Sequence, residues 1–310
     1  MKVAFVFPGQ GSQAVGMMRG FAGSSEVRAV FDEASSALGQ DLWTLVEQGP
    51  AEELNSTVNT QPVMLTAGYA IYRAWRAAGG PEPDLVAGHS LGEYTALVAA
   101  GALAFRDAVP LVRIRAQAMQ EAVPIGEGAM AAILGLDDEA LKAACNDAAQ
   151  GQVVEPVNFN APSQVVIAGH KAAVERGMAL AKARGARRAI ALPVSAPFHS
   201  SLLRPAADRL ARHLAAISVN APRIPVVNNV DVAIESNPQR IRDALARQAC
   251  GPVRWVEVVR RLAQSGAGHV VECGPGNVLA ALTRRIEDRL QGHSISDPAS
   301  LGQTLEKIRL

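Results

Sequence analysis

The chain opens on a continuous apolar run, Val3-Ala4-Phe5-Val6-Phe7, stopped by Pro8-Gly9. Apolar residues without polar alternation predict a strand covered on both faces, as in the middle of a parallel sheet. Helical spacing of apolar positions follows over 25–38 and 61–78, and a second short apolar run, Leu85-Val86-Ala87, leads into helices over 93–100 and 105–122. Strands alternating with helices predict an α/β fold with a mainly parallel sheet. The pattern then changes to strand 129–134, helix 137–149, strands 153–159 and 164–169 across the turn Asn160-Ala161-Pro162-Ser163, helix 171–184 and strand 187–192. That βαββαβ order predicts a ferredoxin-like unit. Gly126 and Gly128 punctuate its start, and the segment from Pro193 to Pro197 its end. The expected architecture is a hydrolase-like large α/β domain with a parallel-sheet core, residues 1–125 and 197–310, into which a ferredoxin-like small domain, 126–196, is inserted. Beyond it the pattern predicts helix 201–217, a short strand 225–228, helices 241–250 and 255–265, a buried strand 269–272 and a closing helix 278–290.

Composition narrows the class without deciding it. The chain has 310 residues and a net charge of +1, so no overall field draws it to nucleic acid or to a membrane. Cys145, Cys250 and Cys273 lie far apart and form no C-x-x-C, which fits reduced thiols in a reducing compartment. The apolar run at 3–7 is too short for the core of a signal peptide, and no run is long enough to span a bilayer. A cytoplasmic location follows as the expectation. The six histidines show no metal-ligand spacing, and nothing in the pattern marks an oligomer, so a monomer is the default.

The informative chemistry sits between the Leu85 run and the helix that follows it. Gly88-His89-Ser90-Leu91-Gly92 is a G-x-S-x-G turn in a strand-turn-helix setting, the arrangement of a nucleophile elbow. Its glycines remove side chains that would clash in the tight turn. The serine hydroxyl is left at a helix N-terminus, where free backbone N–H groups and the helix dipole favour developing negative charge. Ser90 is therefore the candidate nucleophile. An elbow serine needs a base to take its proton. His89 adjoins it across a turn and so points away, which suits packing or support of the loop. His170, His213, His269 and His293 lack any supporting motif. His199, in the loop Ser195-Ala196-Pro197-Phe198-His199-Ser200 at the seam of the two domains, is the best candidate base.

Arg115 is a different clue. Ala108, Leu111, Val112, Arg115, Met119 and Ala122 share one apolar stripe of the 105–122 helix. A guanidinium there needs an anion or acceptor: either a structural ion pair or a clamp on a substrate carboxylate. The loop Pro8-Gly9-Gln10-Gly11-Ser12-Gln13 matches a relaxed G-x-G-x-x-A dinucleotide pattern through Ala14, but Asp32 and Glu33 fall in a helical segment rather than at a strand end. That excludes the dinucleotide reading, and the glycines instead let backbone N–H groups approach the elbow.

Several stretches in order, FVFPGQGSQ, TQPVMLTAG, GHSLGEYTALVAAG, MQEAVP, GEGAMAAILGL, VNFNAPSQVVIAG, VSAPFHS and ECGPGNVLAAL, are similar to the malonyl-CoA:acyl carrier protein transacylases, the malonyl-loading enzymes of bacterial type II fatty acid synthesis. The resemblance runs over essentially the whole chain. It implies that Ser90 is acylated, that His199 is general base and later acid, and that Arg115 binds the malonyl carboxylate. It further implies an oxyanion hole from the N–H groups of Gln10 and Leu91, a Gln248 backbone carbonyl that orients the histidine in place of an acid, and pocket positions for Gln61 and Asn158. Phe198 before the histidine resembles the malonyl-selective pattern. Substrates would be malonyl-CoA and holo acyl carrier protein, with no cofactor and no metal. Because such carrier proteins are acidic, Lys182, Arg184, Arg187 and Arg188, or Arg204, Arg209 and Arg212, are candidate docking clusters.

Two rivals share parts of this pattern. A serine esterase or thioesterase would need an acid between Ser90 and His199 and has little use for Arg115. A malonyltransferase serving a polyketide or malonate decarboxylase system would share the same chemistry and differ in its carrier.

Overall fold

In strand β1 (Lys2–Phe7), Phe5 and Phe7 join one hydrophobic cluster and Ala4 and Val6 another, the two-residue alternation of a strand with helices against both faces. The computed structural model describes residues 1–309. After β1 come helices α1 (Ser25–Leu38), α2 (Leu42–Gln48), α3 (Ala51–Asn55) and α4 (Thr57–Ala77), then β2 (Leu85–Gly88), α5 (Gly92–Ala99) and α6 (Phe105–Glu121). The middle of the chain is β3 (Gly128–Leu134), α7 (Asp138–Ala149), β4 (Val154–Ala161), β5 (Gln164–His170), α8 (Lys171–Ala183) and β6 (Arg188–Ala191). The remainder is α9 (Arg204–Ala216), β7 (Val226–Val227), α10 (Pro238–Ala249), α11 (Trp255–Gln264), β8 (Ala267–Cys273), α12 (Val278–Ile286), β9 (Gln291–Ile295) and α13 (Pro298–Arg309). Side chains suited to the task start several helices: Ser24 Oγ accepts from Val27 N–H, Asp137 from Ala140, and Asn237 from Gln239 and Arg240.

The first sheet runs β7-β2-β1-β8-β9, and every pairing in it is parallel. Its aromatic side, where Phe5 stands against Tyr72 and Trp75, is covered by α4. Its other side meets Trp255, Val258 and Val259 of α11. The second sheet, β4-β5-β3-β6, is antiparallel throughout. Ala131, Ile133 and Ile167 cluster with Leu141, Cys145, Ala173 and Val174 of α7 and α8. Met130, Val166 and Ala168 join Ala118 and Met119 of α6 and Phe198 and Leu203 of the returning chain. This second contact seals the small sheet against the larger body. The backbone of β4 also reaches the other sheet's side of the molecule, with Phe159 N–H donating to the Val253 carbonyl at 3.0 Å and Val253 N–H to that of Val157 at 2.8 Å.

The structure corrects the sequence reading at several edges. The helix expected over 278–290 ends at Ile286, and the chain adds β9 on the sheet edge and then α13. Gln291-Gly292-His293-Ser294-Ile295 pairs with β8 alone, so an edge strand carries its polar sequence, and no apolar run announces it. The helix expected from 61 begins at Thr57, with Pro62 tolerated inside it, and α2 and α3 are short helices in a stretch where no element was expected. Strand β4 continues to Ala161, which shortens the expected four-residue turn. No helix is long and apolar enough to cross a membrane among the described residues.

Candidate active site

The register of the parallel sheet sets the site. Phe7 pairs with Gly88, so the loop after β1 and the turn after β2 leave the sheet side by side, and His89 N–H donates to the Phe7 carbonyl at 3.0 Å. A Cβ on Gly88 would stand 1.9 Å from the Gly92 carbonyl group, one on Gly92 2.0 Å from the Phe7 oxygen, and one on Gly9 2.7 Å from the His89 oxygen. Side chains are excluded at all three positions by backbone. Between the elbow glycines Ser90 takes φ 52°, a left-handed conformation that costs energy for a residue with a Cβ and persists only where surroundings impose it.

His199 reaches the same point from the loop after β6, also in left-handed backbone, φ 66°. Its Nε2 lies 2.7 Å from Ser90 Oγ and its Nδ1 2.8 Å from the Gln248 carbonyl. A carbonyl only accepts, so Nδ1 carries the proton and Nε2 offers its lone pair to the serine hydroxyl. Gln248 sits in the last turn of α10, where carbonyls lack helical partners and the dipole favours positive charge nearby. The imidazole is 5% exposed. Burial first, and then the Arg115 charge, push its pKa down to about 3, which keeps it neutral, with the Nε2 lone pair free, in the resting site.

Arg115, 2% exposed, donates through Nη1 to Gln61 Oε1 at 2.7 Å and through Nη2 to Gln248 Oε1 at 2.9 Å and Ser90 Oγ at 3.1 Å. Its guanidinium carbon stands 5.4 Å from the Tyr94 ring centre. No carboxylate lies within ion-pairing distance of it among the described residues, so the structural ion-pair reading fails. Neutral amides hold this cation in place, and its charge has no anion beside it. Burial draws the guanidinium below its ordinary pKa, opposed by Tyr94 and then Glu93.

A cleft of about 720 Å³ joins these groups, lined by Gln10, Gln61, His89, Ser90, Leu91, Arg115, Asn158, Phe198 and His199 together with Met119, Met130 and Val166 from the seam of the two sheets. Among the described residues, the N–H groups of Gln10 and Leu91 find no protein acceptor. Asn158 lines the cleft with a side-chain amide that no other described residue hydrogen-bonds. Gln248 is fully buried and lies behind the cleft wall, touching His199 through its backbone carbonyl and Arg115 and the elbow through its side chain. His89 is tied to Asn160, Nε2 to Oδ1 at 2.8 Å, with its ring 5.4 Å from that of Trp255, as befits loop support. Neither basic cluster lines the cleft. Arg184 pairs with Asp147, and Arg209 with Glu121 at 2.6 Å.

Two residues of the site escaped the sequence reading. Asn229 Oδ1 accepts from Ser90 N–H at 2.8 Å, and Glu93 Oε2 accepts from Asn229 N–H and Gln248 Nε2, each at 2.9 Å. The available signals were a carboxylate in an otherwise apolar helix and a polar pair, Asn228-Asn229, directly after a buried strand of the parallel sheet.

Residues 4–304 match the family described as the acyl transferase domain. The chain is 58% identical over 304 residues to the malonyl CoA-acyl carrier protein transacylase of Escherichia coli (strain K12), covering 98% of each. Among solved structures, the acyl-carrier-protein S-malonyltransferase from Burkholderia pseudomallei 1710b is 65% identical with a TM-score of 0.98, over 99% of this chain and 100% of that one. A malonyl-transacylase solved in complex with a type II PKS acyl-carrier protein is 53% identical, with a TM-score of 0.98, over 99% and 100%.

Proposed function

The chain belongs to the acyl transferase domain family and, within it, to the malonyl CoA-acyl carrier protein transacylases, and on that premise we propose that it carries malonyl groups from malonyl-CoA to the phosphopantetheine thiol of acyl carrier protein. It supplies extender units for fatty acid synthesis in the cytoplasm. The observation that carries the reading is the Arg115 guanidinium, which no carboxylate pairs among the described residues, 3.1 Å from a serine hydroxyl that is itself 2.7 Å from a neutral histidine. A cation with no carboxylate partner, beside a nucleophile, suits an acyl group with a free carboxylate.

Transfer proceeds in two halves through one geometry. Arg115 takes the malonyl carboxylate, and Gln61 steadies the guanidinium. Ser90 Oγ attacks the thioester carbonyl as His199 Nε2 accepts its proton. The tetrahedral oxyanion lies against the N–H groups of Gln10 and Leu91. As the C–S bond breaks, the imidazolium returns its proton to the CoA sulfur. The carrier's phosphopantetheine thiol then gives His199 its proton, attacks malonyl-Ser90, and the collapse restores the serine hydroxyl. One thioester replaces another, so the residues need neither a cofactor nor a metal. The Gln248 carbonyl, at the negative end of α10, stabilises the transient imidazolium in the place where a hydrolase has an acid.

The division of labour in the fold belongs to the same proposal. The hydrolase-like body, 1–125 and 197–310, carries Ser90, Arg115 and His199. The inserted unit, 126–196, is ferredoxin-like, a reading supported by the β4-β5-β3-β6 order of its antiparallel sheet, and contributes Asn158, Met130 and Val166 to the far wall.

A PKS carrier protein is the second reading, favoured by the likeness to the complex named above. The test is partition of the preformed malonyl-enzyme. Holo acyl carrier protein of fatty acid synthesis should capture the label in preference to water. Release as free malonate would indicate a thioesterase, and capture only by PKS carriers would move the protein to the other pathway.

A further inference from the structure

Beneath the elbow lies a carboxylate for which the transfer chemistry has no direct use. Glu93, in the first turn of α5, is 2% exposed, and no lysine or arginine comes within ion-pairing distance of it among the described residues. A buried anion without an ion pair is costly, and what it holds gives it a role. Its Oε2 accepts from Asn229 N–H and Gln248 Nε2, each at 2.9 Å. Asn229 grips the turn from one side, its Oδ1 accepting from Ser90 N–H at 2.8 Å and its Nδ2 donating to the Gly88 carbonyl at 2.7 Å. Gln248 grips it from the other, Nε2 donating to the Ser90 carbonyl at 2.9 Å. Gln248 also meets the base through its backbone carbonyl and Arg115 through Oε1, at 2.8 and 2.9 Å.

The side-chain contacts of Gln248, to Glu93, the Ser90 carbonyl and Arg115, depend on which way its amide faces. Flipped, it would present NH2 to the Arg115 guanidinium and oxygen to the Ser90 carbonyl, donor against donor and acceptor against acceptor. A carboxylate can only accept, so it permits one orientation. We propose that Glu93 is a positioning residue for acyl transfer, which fixes Gln248 and Asn229 and through them the strained Ser90, the proton on His199 Nδ1 and the aim of Arg115. This rests on the transacylase reading for its substrate, though not for its geometry.

The charged and titratable groups that face Glu93 are Arg115 from α6, Asp231 from the segment after β7, Tyr94 beside it on α5, and Glu235, which shares a small cavity with it. Burial raises its pKa to about 7, against the Gln248 and Asn229 hydrogen bonds and Arg115. The ordering carboxylate therefore forms as pH rises through that value.

The test compares wild type with the isosteric Glu93→Gln, with Asn229→Ser as a second variant should the first fail to fold. A fluorophosphonate, which labels reactive serine without a malonyl group, and malonyl-CoA are used in parallel from pH 5.5 to 8.5, with thermal melting of each variant. Both reagents should label Ser90 on the order of 10²-fold more slowly in the variants, with kcat reduced and KM for malonyl-CoA little changed. The wild-type rise through neutral pH should be absent from Glu93→Gln, and Glu93→Asp should recover part of the rate. Wild-type rates in both variants, or losses that merely follow the folded fraction, would overturn the proposal. Wild type that reacts with fluorophosphonate but not with malonyl-CoA would contradict the functional reading, and the fluorophosphonate comparison would still decide the role of Glu93.

Discussion

Ser90 and His199 meet at 2.7 Å, Oγ to Nε2, and both occupy left-handed backbone, φ 52° and 66°. Two strained residues from chain segments more than a hundred positions apart are held in contact by the packing around them. Such strain gathers at functional sites because an unstrained alternative would point the side chains elsewhere. Removing the base should therefore leave the serine in place and unactivated. His199→Ala should retain its melting temperature and lose about 10²–10⁴-fold in the rate of malonyl loading. Stopped-flow release of CoA thiol measures this directly.

Arg115 should act on the malonyl group and little on the rest of the substrate. Loss of a buried, hydrogen-bonded charge partner costs about 3 kcal/mol, on the order of 10²-fold in kcat/KM. Arg115→Ala should show that loss for malonyl-CoA and a much smaller one for acetyl-CoA, so the ratio of the two is the quantity to measure. Arg115→Lys should not recover it, because a point charge cannot replace the fork that spans Gln61, Gln248 and the substrate.

The acid limb of Ser90 labelling reports the imidazole. Burial and then Arg115 push the His199 pKa down from 6.5 to about 3. A lowered pKa keeps the base form as pH falls, so the final loss of labelling in Glu93→Gln should come far below 6.5. A limb at the ordinary imidazole value would show that the ring is solvated.

Stability should carry a signature of opposite sign at Glu272. Its Oε2 accepts from Ala280 N–H at 2.9 Å while Oε1 is buried without a partner, and burial raises its pKa from 4.5 to about 7. A raised folded-state pKa means stability present below the unfolded value and lost as pH rises through the folded one. Glu272→Gln removes that loss, so its melting temperature relative to wild type should be higher at pH 8 than at pH 5.

Acyl selectivity should respond at Phe198, which lines the cleft beside His199 and is 9% exposed. Phe198→Ser opens volume next to the nucleophile and should raise the rate with methylmalonyl-CoA relative to malonyl-CoA. Competition between the two thioesters, read by mass spectrometry of the acylated enzyme, gives the ratio.

How much of this was legible in the sequence depends on whether a local pattern fixes it. The apolar run at 3–7 and the glycines at 88 and 92 specify a buried strand and a tight turn by themselves, and each is found where the pattern put it. Arg115 stood out because a cation on an apolar helix stripe conflicts with its surroundings. The choice between ion pair and clamp was open because the answer lies in Gln61 and Gln248, distant in the chain and unremarkable in type. Asn229 and Glu93 left only weak local signals, a carboxylate in a buried helix and a polar pair after a buried strand, and only the fold brings them under Ser90. Strand β9 was missed because an edge strand needs no apolar alternation to pair.

The most direct measurement is the intact mass of the protein after brief mixing with malonyl-CoA or acetyl-CoA, for wild type, Ser90→Ala and Arg115→Ala, followed by a chase with holo acyl carrier protein. The expected result is a malonyl adduct on wild type that is absent in Ser90→Ala, reduced in Arg115→Ala, far weaker with acetyl-CoA, and transferred intact to the carrier. An adduct that survives Ser90→Ala, or one lost to water and never gained by the carrier, would contradict it.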